Sequence, residues 1–257
     1  MLGSDNGLLR DIVSNELPSV SSTKIATWLK TTAIVIPVLN EAQSIGMVVD
    51  ELTNIGFLPN NIYVIDNGSD DGTPARLLGN GVNVFFCFDR GKGSALRYGF
   101  YRALMDQNIS RVVTIDGDYT YPGKAVELAA KLSEWFRNDV IVMKRKPCRG
   151  SMPTSNALAN WLINKWASLV NPGVNGNISD ICSGLWCFPV AVLKKVLPRL
   201  RSRGFTIEVE YYCILNQIGR NIYEFNYEYR VRQGGEKKTK PSDAFKIVWF
   251  LWKHRCK

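Results

Sequence analysis

Short β-branched runs alternate with helix-period segments along the first 143 residues, and that alternation leaves few folds open. Ala33-Ile-Val-Ile-Pro-Val38 reads as a buried strand, Asn61-Ile-Tyr-Val-Ile-Asp66 as a second and Val82-Asn-Val-Phe-Phe-Cys87 as a third. Val112 to Asp116 reads as a fourth, and Val140-Ile-Val-Met143 as a fifth. Ser44 to Ile55 and Ser94 to Met105 carry helical spacing. Pro122 is placed as the first residue of another helix, with Val126, Ala129, Leu132 and Phe136 on one face. Strands alternating with helices predict an α/β fold, a doubly wound and mainly parallel sheet with helices on both faces. At 257 residues and 46% hydrophobic, the chain can bury a full core. Composition shifts near Lys144, where Trp, Arg, Lys and irregular turns become more frequent. The expected division is a leader at 1–31, a single domain at 32–240 with halves at about 32–143 and 144–240, and a basic, aromatic helix at 241–257.

Arg111-Val-Val-Thr-Ile-Asp-Gly-Asp-Tyr-Thr120 ends a strand in two carboxylates one residue apart. Residues i and i+2 on an extended segment point the same way, so Asp116 and Asp118 repel unless a cation sits between them. A few hard oxygen ligands, open to phosphate oxygens, suit Mg²⁺ or Mn²⁺. An Asp-Gly-Asp turn is the plain alternative. In open α/β sheets ligands bind beyond the carboxyl ends of the strands. Strand one ends in Asn40 and Glu41, strand two in Asp66-Asn-Gly-Ser-Asp-Asp-Gly-Thr73, and strand four in Asp116-Gly-Asp118. Each cluster could be a simple turn, but three at one rim point to one site. Asp89-Arg-Gly-Lys-Gly-Ser94 precedes a helix, and Lys92 there reads either as a phosphate contact or as the solvated tip of a tight turn. Neither a Walker A loop nor a Gly-x-Gly-x-x-Gly after the first strand is present.

Composition removes other chemistries. The single histidine is His254, so Ser-His-Asp and Cys-His mechanisms and histidine-ligated metals are not expected. The six cysteines form no C-x-x-C pair, which fits a reducing compartment. A net charge of +9 suits a polyphosphate substrate, an anionic membrane or nucleic acid. The N-terminus has no signal-peptide pattern, and Ile247-Val-Trp-Phe-Leu-Trp252 falls far short of the ~20 residues needed to span a bilayer.

The ordered motifs Pro37-x-x-Asn-Glu41, Val64-Ile-Asp-Asn-Gly-Ser-x-Asp-Gly-Thr73, Arg90-Gly-Lys-Gly-Ser-Ala95 and Asp116-Gly-Asp118 resemble the family 2 glycosyltransferases of GT-A fold. Asp180-Ile-Cys-Ser-Gly-Leu185, Gly204-Phe-Thr-Ile-Glu-Val-Glu210 and Tyr229-Arg-Val-Arg-Gln-Gly-Gly-Glu-Lys-Lys238 are similar to segments of the dolichyl-phosphate mannose or glucose synthase branch. The resemblance runs from about Ala33 to Lys238. It implies an inverting, metal-dependent transfer of a hexose from a nucleotide sugar, of the GDP-mannose or UDP-glucose type, to a polyprenyl (dolichyl) phosphate. Pro37, Asn40 and Glu41 would border the nucleoside, and Asp66, with Asn67 beside it, would face the base or ribose. Asp116 and Asp118 would carry the metal, with Thr120 as a further metal-side ligand. Arg145, Arg230, Arg232 and Lys238 would meet donor or acceptor phosphates, with Lys92 on the donor side. Asn67 stands where the family often has Asp, Thr120 where the branch often has Gln, and Lys237 where Ser is usual.

The chemistry also stands without the resemblance. A metal on Asp116 and Asp118 neutralises a leaving diphosphate, and Arg and Lys add fixed positive charge. A lipid phosphate is already an anion and needs no general base, which fits a chain without a catalytic histidine. Lys144-Arg-Lys-Pro-Cys-Arg149 leads into a helix from Asn156 to Val170 whose Leu158, Trp161, Leu162, Trp166 and Leu169 are expected to pack in the core. Trp249, Phe250 and Trp252, with Lys246, Lys253, Arg255 and Lys257, suit a membrane interface. The expectation is a cytoplasmic enzyme, peripheral on the cytoplasmic face of a membrane, brought there by that helix or by a membrane-anchored partner protein. Nucleic acid is not an expected partner. Two alternatives remain: a GT-A transferase acting on a soluble or glycan hydroxyl, and a basic binding module without catalysis. The second accounts for +9 but not for three acidic clusters at one rim.

Overall fold

A computed structural model describes residues 27–148, 151, 154–170, 178–233 and 241–254. Seven strands form one sheet: β1 (Thr32–Val38), β2 (Ile62–Asp66), β3 (Asn83–Phe86), β4 (Arg111–Thr114), β5 (Val140–Pro147), β6 (Trp186–Pro189) and β7 (Ile222–Tyr229). Their spatial order is β3-β2-β1-β4-β6-β5-β7. Every pairing is parallel except those of β6, which runs antiparallel to β4 and β5. The sheet is therefore mostly parallel, and it continues through β5, β6 and β7 past the composition change at Lys144. Besides a helical turn at 27–30 and three short 3-10 turns, the described helices are α1 (Ile45–Ile55), α2 (Lys92–Leu104), α3 (Gly123–Trp135), α4 (Thr154–Val170), α5 (Val190–Val196), α6 (Ile207–Gln217) and α7 (Pro241–Lys253).

Central strands are apolar on both faces because both faces are covered. Ala33, Val35, Tyr63 and Ile65 pack with α2, α5, α6 and α7 on one side. Ile34, Ile36, Ile62 and Val64 pack with α1 and α3 on the other. Trp28, at the edge of the expected leader, is buried against Phe57, with ring centroids 5.8 Å apart, and belongs to this second layer.

Several local expectations need correcting. Pro122 precedes its helix as the N-cap with an extended ψ of 142°, and the first helical residue is Gly123. The helix after the third strand begins at Lys92, two residues before Ser94. On α4, Leu158, Trp161, Leu162 and Leu169 are exposed rather than core; Ile163 and Ala167 fill the core instead, with Trp166 partly buried against it. α4 has an apolar inner face and a second apolar face turned outward.

Candidate active site

The parallel register brings the polar strand ends to one rim. Val38 lies level with Asp66, and Val35 with Thr114, so Asp116 comes level with Pro37. Pro37 is itself a strand residue, only partly exposed. Side chains then stitch the rim together. The Asn40 side chain exchanges two hydrogen bonds with Asp70, at 2.8 and 2.9 Å. Asn40 has φ 54°, a left-handed conformation that Asn tolerates. The Glu41 amide donates to Thr73 Oγ1, and Ser44 Oγ donates to the Gly117 carbonyl at 2.8 Å.

Both aspartates are held by neighbouring side chains, Asp116 through one oxygen and Asp118 through both. Asp118 Oδ1 accepts from the Thr120 amide and, at 2.6 Å, from Thr120 Oγ1. Thr120 is 1% exposed and its hydroxyl donates to Asp118, which fixes the orientation of that carboxylate. Tyr119, between them, has φ 63°, a costly conformation for a bulky residue and one concentrated at functional sites. Asp116 Oδ1 meets Lys92 Nζ at 2.6 Å, and Gly184 leaves room beside Oδ2, where a β-carbon would lie 2.5 Å away. Burial, with Asp116 beside it, pushes Asp118 above the usual carboxylate range, against the pull of Thr120 and Arg232.

Lys92 does not reach outward as a phosphate contact. Its ammonium sits between Asp116 and Glu208 Oε1, the latter at 2.7 Å. Burial alone would lower its pKa, but the two carboxylates outweigh it and hold Lys92 well above its ordinary value. Burial raises Glu208 in turn, opposed by Lys92. The glycine after Lys92 makes this reach possible: a β-carbon on Gly93 would lie 2.4 Å from the Ser202 carbonyl, so α2 starts flush against the loop that precedes α6. Glu208 lies inside the Gly204–Glu210 segment, where the motif alone gives it no role. Its signal was a second acid beside Glu210 in the otherwise apolar opening of a helix, because buried charges need partners.

Three further expectations change. Arg145 makes a bidentate pair with Asp180, Nε at 2.7 Å, and Asp180 is itself held by Arg145 N. Asp180 holds Arg145 well above its ordinary value despite burial, and the guanidinium is committed there rather than to a phosphate. Arg230 pairs bidentately with Glu51 of α1, at 2.7 and 2.9 Å, over the ring of Tyr119. Burial would raise Glu51, but Arg230 outweighs it and holds Glu51 below its ordinary value, which places Arg230 beside the metal loop rather than on it. Asn67 is structural: its amide donates to the Cys87 and Asp89 carbonyls and its oxygen accepts from Gly91 N.

Asp66 is 3% exposed and accepts from the Gly68 and Ser69 amides and from Ser69 Oγ, so its carboxylate also closes its own turn. Arg232, expected at a donor or acceptor phosphate, instead bridges two carboxylates, Asp118 Oδ2 at 3.2 Å and Glu41 Oε1. Lys238 and Lys237 lie outside the described residues, as do residues 1–26, Arg149, Arg255 and Lys257.

The donor set fits an open metal site. Among the described residues no group of three or more His, Cys, Asp or Glu converges as a closed metal cage. Among the described ion pairs of the site, four carboxylates, Glu41, Asp116, Asp118 and Glu208, face two cations, Lys92 and Arg232, two negative charges in excess. Two carboxylates with a surplus of that size match a divalent cation that keeps positions for phosphate oxygens. The cysteines offer no competing nucleophile near by, since burial pushes the Cys182 thiol up to about 12.

The sequence profile of glycosyl transferase family 2 matches residues 33–197. Uncharacterized protein MJ1222 of Methanocaldococcus jannaschii is 27% identical over 227 residues, covering 85% of this chain and 89% of that protein. Glycosyltransferase AglJ of Haloferax volcanii is 32% identical over 180 residues, covering 69% of this chain and 55% of AglJ, so the match spans about half of that protein. Among solved structures, glucosyl-3-phosphoglycerate synthase of Mycobacterium tuberculosis in complex with phosphoglyceric acid superposes with a TM-score of 0.73 at 18% identity, over 93% of this chain and 85% of that one. The same enzyme with Mn²⁺, UDP-glucose and phosphoglyceric acid gives 0.72 at 18% identity, over 92% and 84%.

Proposed function

Because the chain belongs to glycosyl transferase family 2, we propose that it moves a hexose from a nucleotide sugar to a polyprenyl phosphate, with Mg²⁺ or Mn²⁺ held by Asp116 and Asp118. That cation, when bound, supplies Lewis-acid neutralisation of the leaving diphosphate. The protein's share is position and charge. Thr120 and Lys92 orient the two aspartates, Asn40, Glu41 and Asp66 border the nucleoside, and Arg232 offers a fork for a phosphate oxygen. Attack in line with the departing diphosphate inverts the anomeric centre.

The observation that carries the acceptor reading is that the rim carboxylates are already engaged. Asp116 and Glu208 hold Lys92, Asp118 and Glu41 hold Arg232, and His254, just past the end of α7, stacks on Phe250. An acceptor that brings its own negative charge needs no base from this set. Relatives bear on the runner-up, a soluble acceptor, since the synthase of like fold was solved with phosphoglyceric acid. Adding polyprenyl phosphate to protein, metal and a panel of nucleotide sugars should release nucleoside diphosphate from one donor, and EDTA should stop it. Release on phosphoglycerate or a free glycan, with none on polyprenyl phosphate, would promote the runner-up.

The membrane belongs to the same reading. No described helix is long and apolar enough to cross a bilayer. The packed helices α4 and α7 instead turn large apolar side chains outward: Trp161 is 56% exposed, Phe245 79% and Trp249 63%. Trp249 and Trp252 lie with ring centroids 5.0 Å apart, and Lys246 and Lys253 flank them. Aromatic residues among cations suit a headgroup layer. Leu251, on the inner side of α7, is fully buried, so removing the helix would damage the core. The cleaner change is Phe245, Trp249 and Trp252 to Ser together. It should abolish sedimentation with anionic vesicles and leave transfer to a short, water-soluble polyprenyl phosphate intact. Unchanged sedimentation would refute the assignment of this surface.

A further inference from the structure

Arg232 stands on the carboxylate oxygen that a metal ion has to reach. Asp118 Oδ1 is occupied twice by Thr120, which leaves Oδ2, and there Arg232 Nη1 lies at 3.2 Å. That contact is long for a charge-assisted hydrogen bond, which is typically about 2.7–2.9 Å. The other nitrogen of the same fork, Nη2, is closer, on Glu41. The backbone around it is tied to the metal loop: Arg230 N donates to the Thr120 carbonyl at 3.0 Å, and Gln233 N to the Asp118 carbonyl at 3.3 Å. The guanidinium can therefore leave Asp118 while its chain segment and its Glu41 anchor keep it at the rim.

We propose that Arg232 is a displaceable latch, which bridges Glu41 and Asp118 and is driven off Asp118 Oδ2 when a divalent cation enters. The inference rests on the reading that Asp116 and Asp118 hold that cation. A guanidinium and a dication repel at one oxygen, so occupancy by one weakens the other. The released fork then points a cation at the space where phosphate oxygens arrive. Metal entry and presentation of Arg232 to phosphate become one coupled event, and the coupling is reciprocal. Arg145 offers the contrast: both oxygens of Asp180 are matched to its fork, and it has no comparable release.

Titration calorimetry with Mn²⁺ alone, without nucleotide or acceptor, tests this apart from catalysis. Arg232→Gln should bind Mn²⁺ about tenfold tighter than the wild-type chain, even though the same change should lower transfer. Equal or weaker binding would overturn the latch. A second measurement needs no variant. Mn²⁺ should raise phenylglyoxal modification of Arg232 in the wild-type chain, read by peptide mass spectrometry, with Arg145 unchanged; equal modification of Arg232 with and without Mn²⁺ would also overturn it. Asp118→Ala in the same titration separates the two ideas. If it binds Mn²⁺ as tightly as wild type, the metal site itself is wrong, whereas a loss of binding there with no gain in Arg232→Gln removes the latch alone.

Discussion

Asp118→Ala should lower kcat/KM for sugar transfer by about three orders of magnitude or more, because the cation proposed to sit on it would contribute several kcal/mol to the departing diphosphate. The fold should survive. Asp118 lies at the end of a strand whose own residues, Arg111 to Thr114, are paired on both sides. Its charge is unfavourable in place, raised by burial and by Asp116, so its loss relieves repulsion while it strands Thr120 Oγ1 and one arm of Arg232. Circular dichroism should therefore match wild type, with a thermal midpoint within a few degrees. Activity within tenfold of wild type, in protein stripped of metal and then resupplied, would remove Asp118 from the site.

Arg145→Met should have the largest effect on stability, about 3–5 kcal/mol, because it leaves Asp180 buried without its guanidinium. Asp180 side-chain exposure is 8%; its carboxylate also accepts from the Arg145 amide, while its own amide donates to Glu224 Oε1. Urea unfolding measures the loss. Combining Arg145→Met with Asp180→Leu should cost clearly less than the two single changes added, the signature of a coupled pair. If Arg145 instead contacts a donor phosphate, Arg145→Met will raise the donor KM at near-normal stability, and the pairing described here will have been misassigned its importance.

These two residues show what the sequence could and could not disclose. Asp118 was visible because a β-branched run ended in Asp-Gly-Asp, and because parallel sheets gather ligands at one end. Four strands of the first half, β1, β2, β4 and β5, were visible because strands covered on both faces are continuous apolar runs, whereas the edge strand β3 alternates between half-buried and exposed residues. Trp186–Pro189 was not visible. It is four residues long, carries no alternation, and becomes a strand only by pairing antiparallel between β4 and β5. The commitments of Arg145 to Asp180, Arg230 to Glu51 and Lys92 to Glu208 were hidden too. They join residues 35, 179 and 116 positions apart, and no periodicity links such partners. Motif position put these cations near the rim correctly, but whether each faces a ligand or a carboxylate is decided by the tertiary structure. The outer face of α4 fails for a related reason. A helical apolar stripe has the same spacing whether it meets a core or a membrane.

One reaction vessel tests the central claim most directly: equal amounts of polyprenyl phosphate and the corresponding free polyprenol, offered together with the nucleotide sugar that the protein accepts and Mn²⁺, with products separated by mass spectrometry. The account predicts hexosyl-phosphoryl-polyprenol as the only glycosylated lipid, since Glu41, Asp116, Asp118 and Glu208 are each paired with a cation. Glycosylated polyprenol forming at a comparable rate would contradict it and would place a general base within the cluster around Glu208.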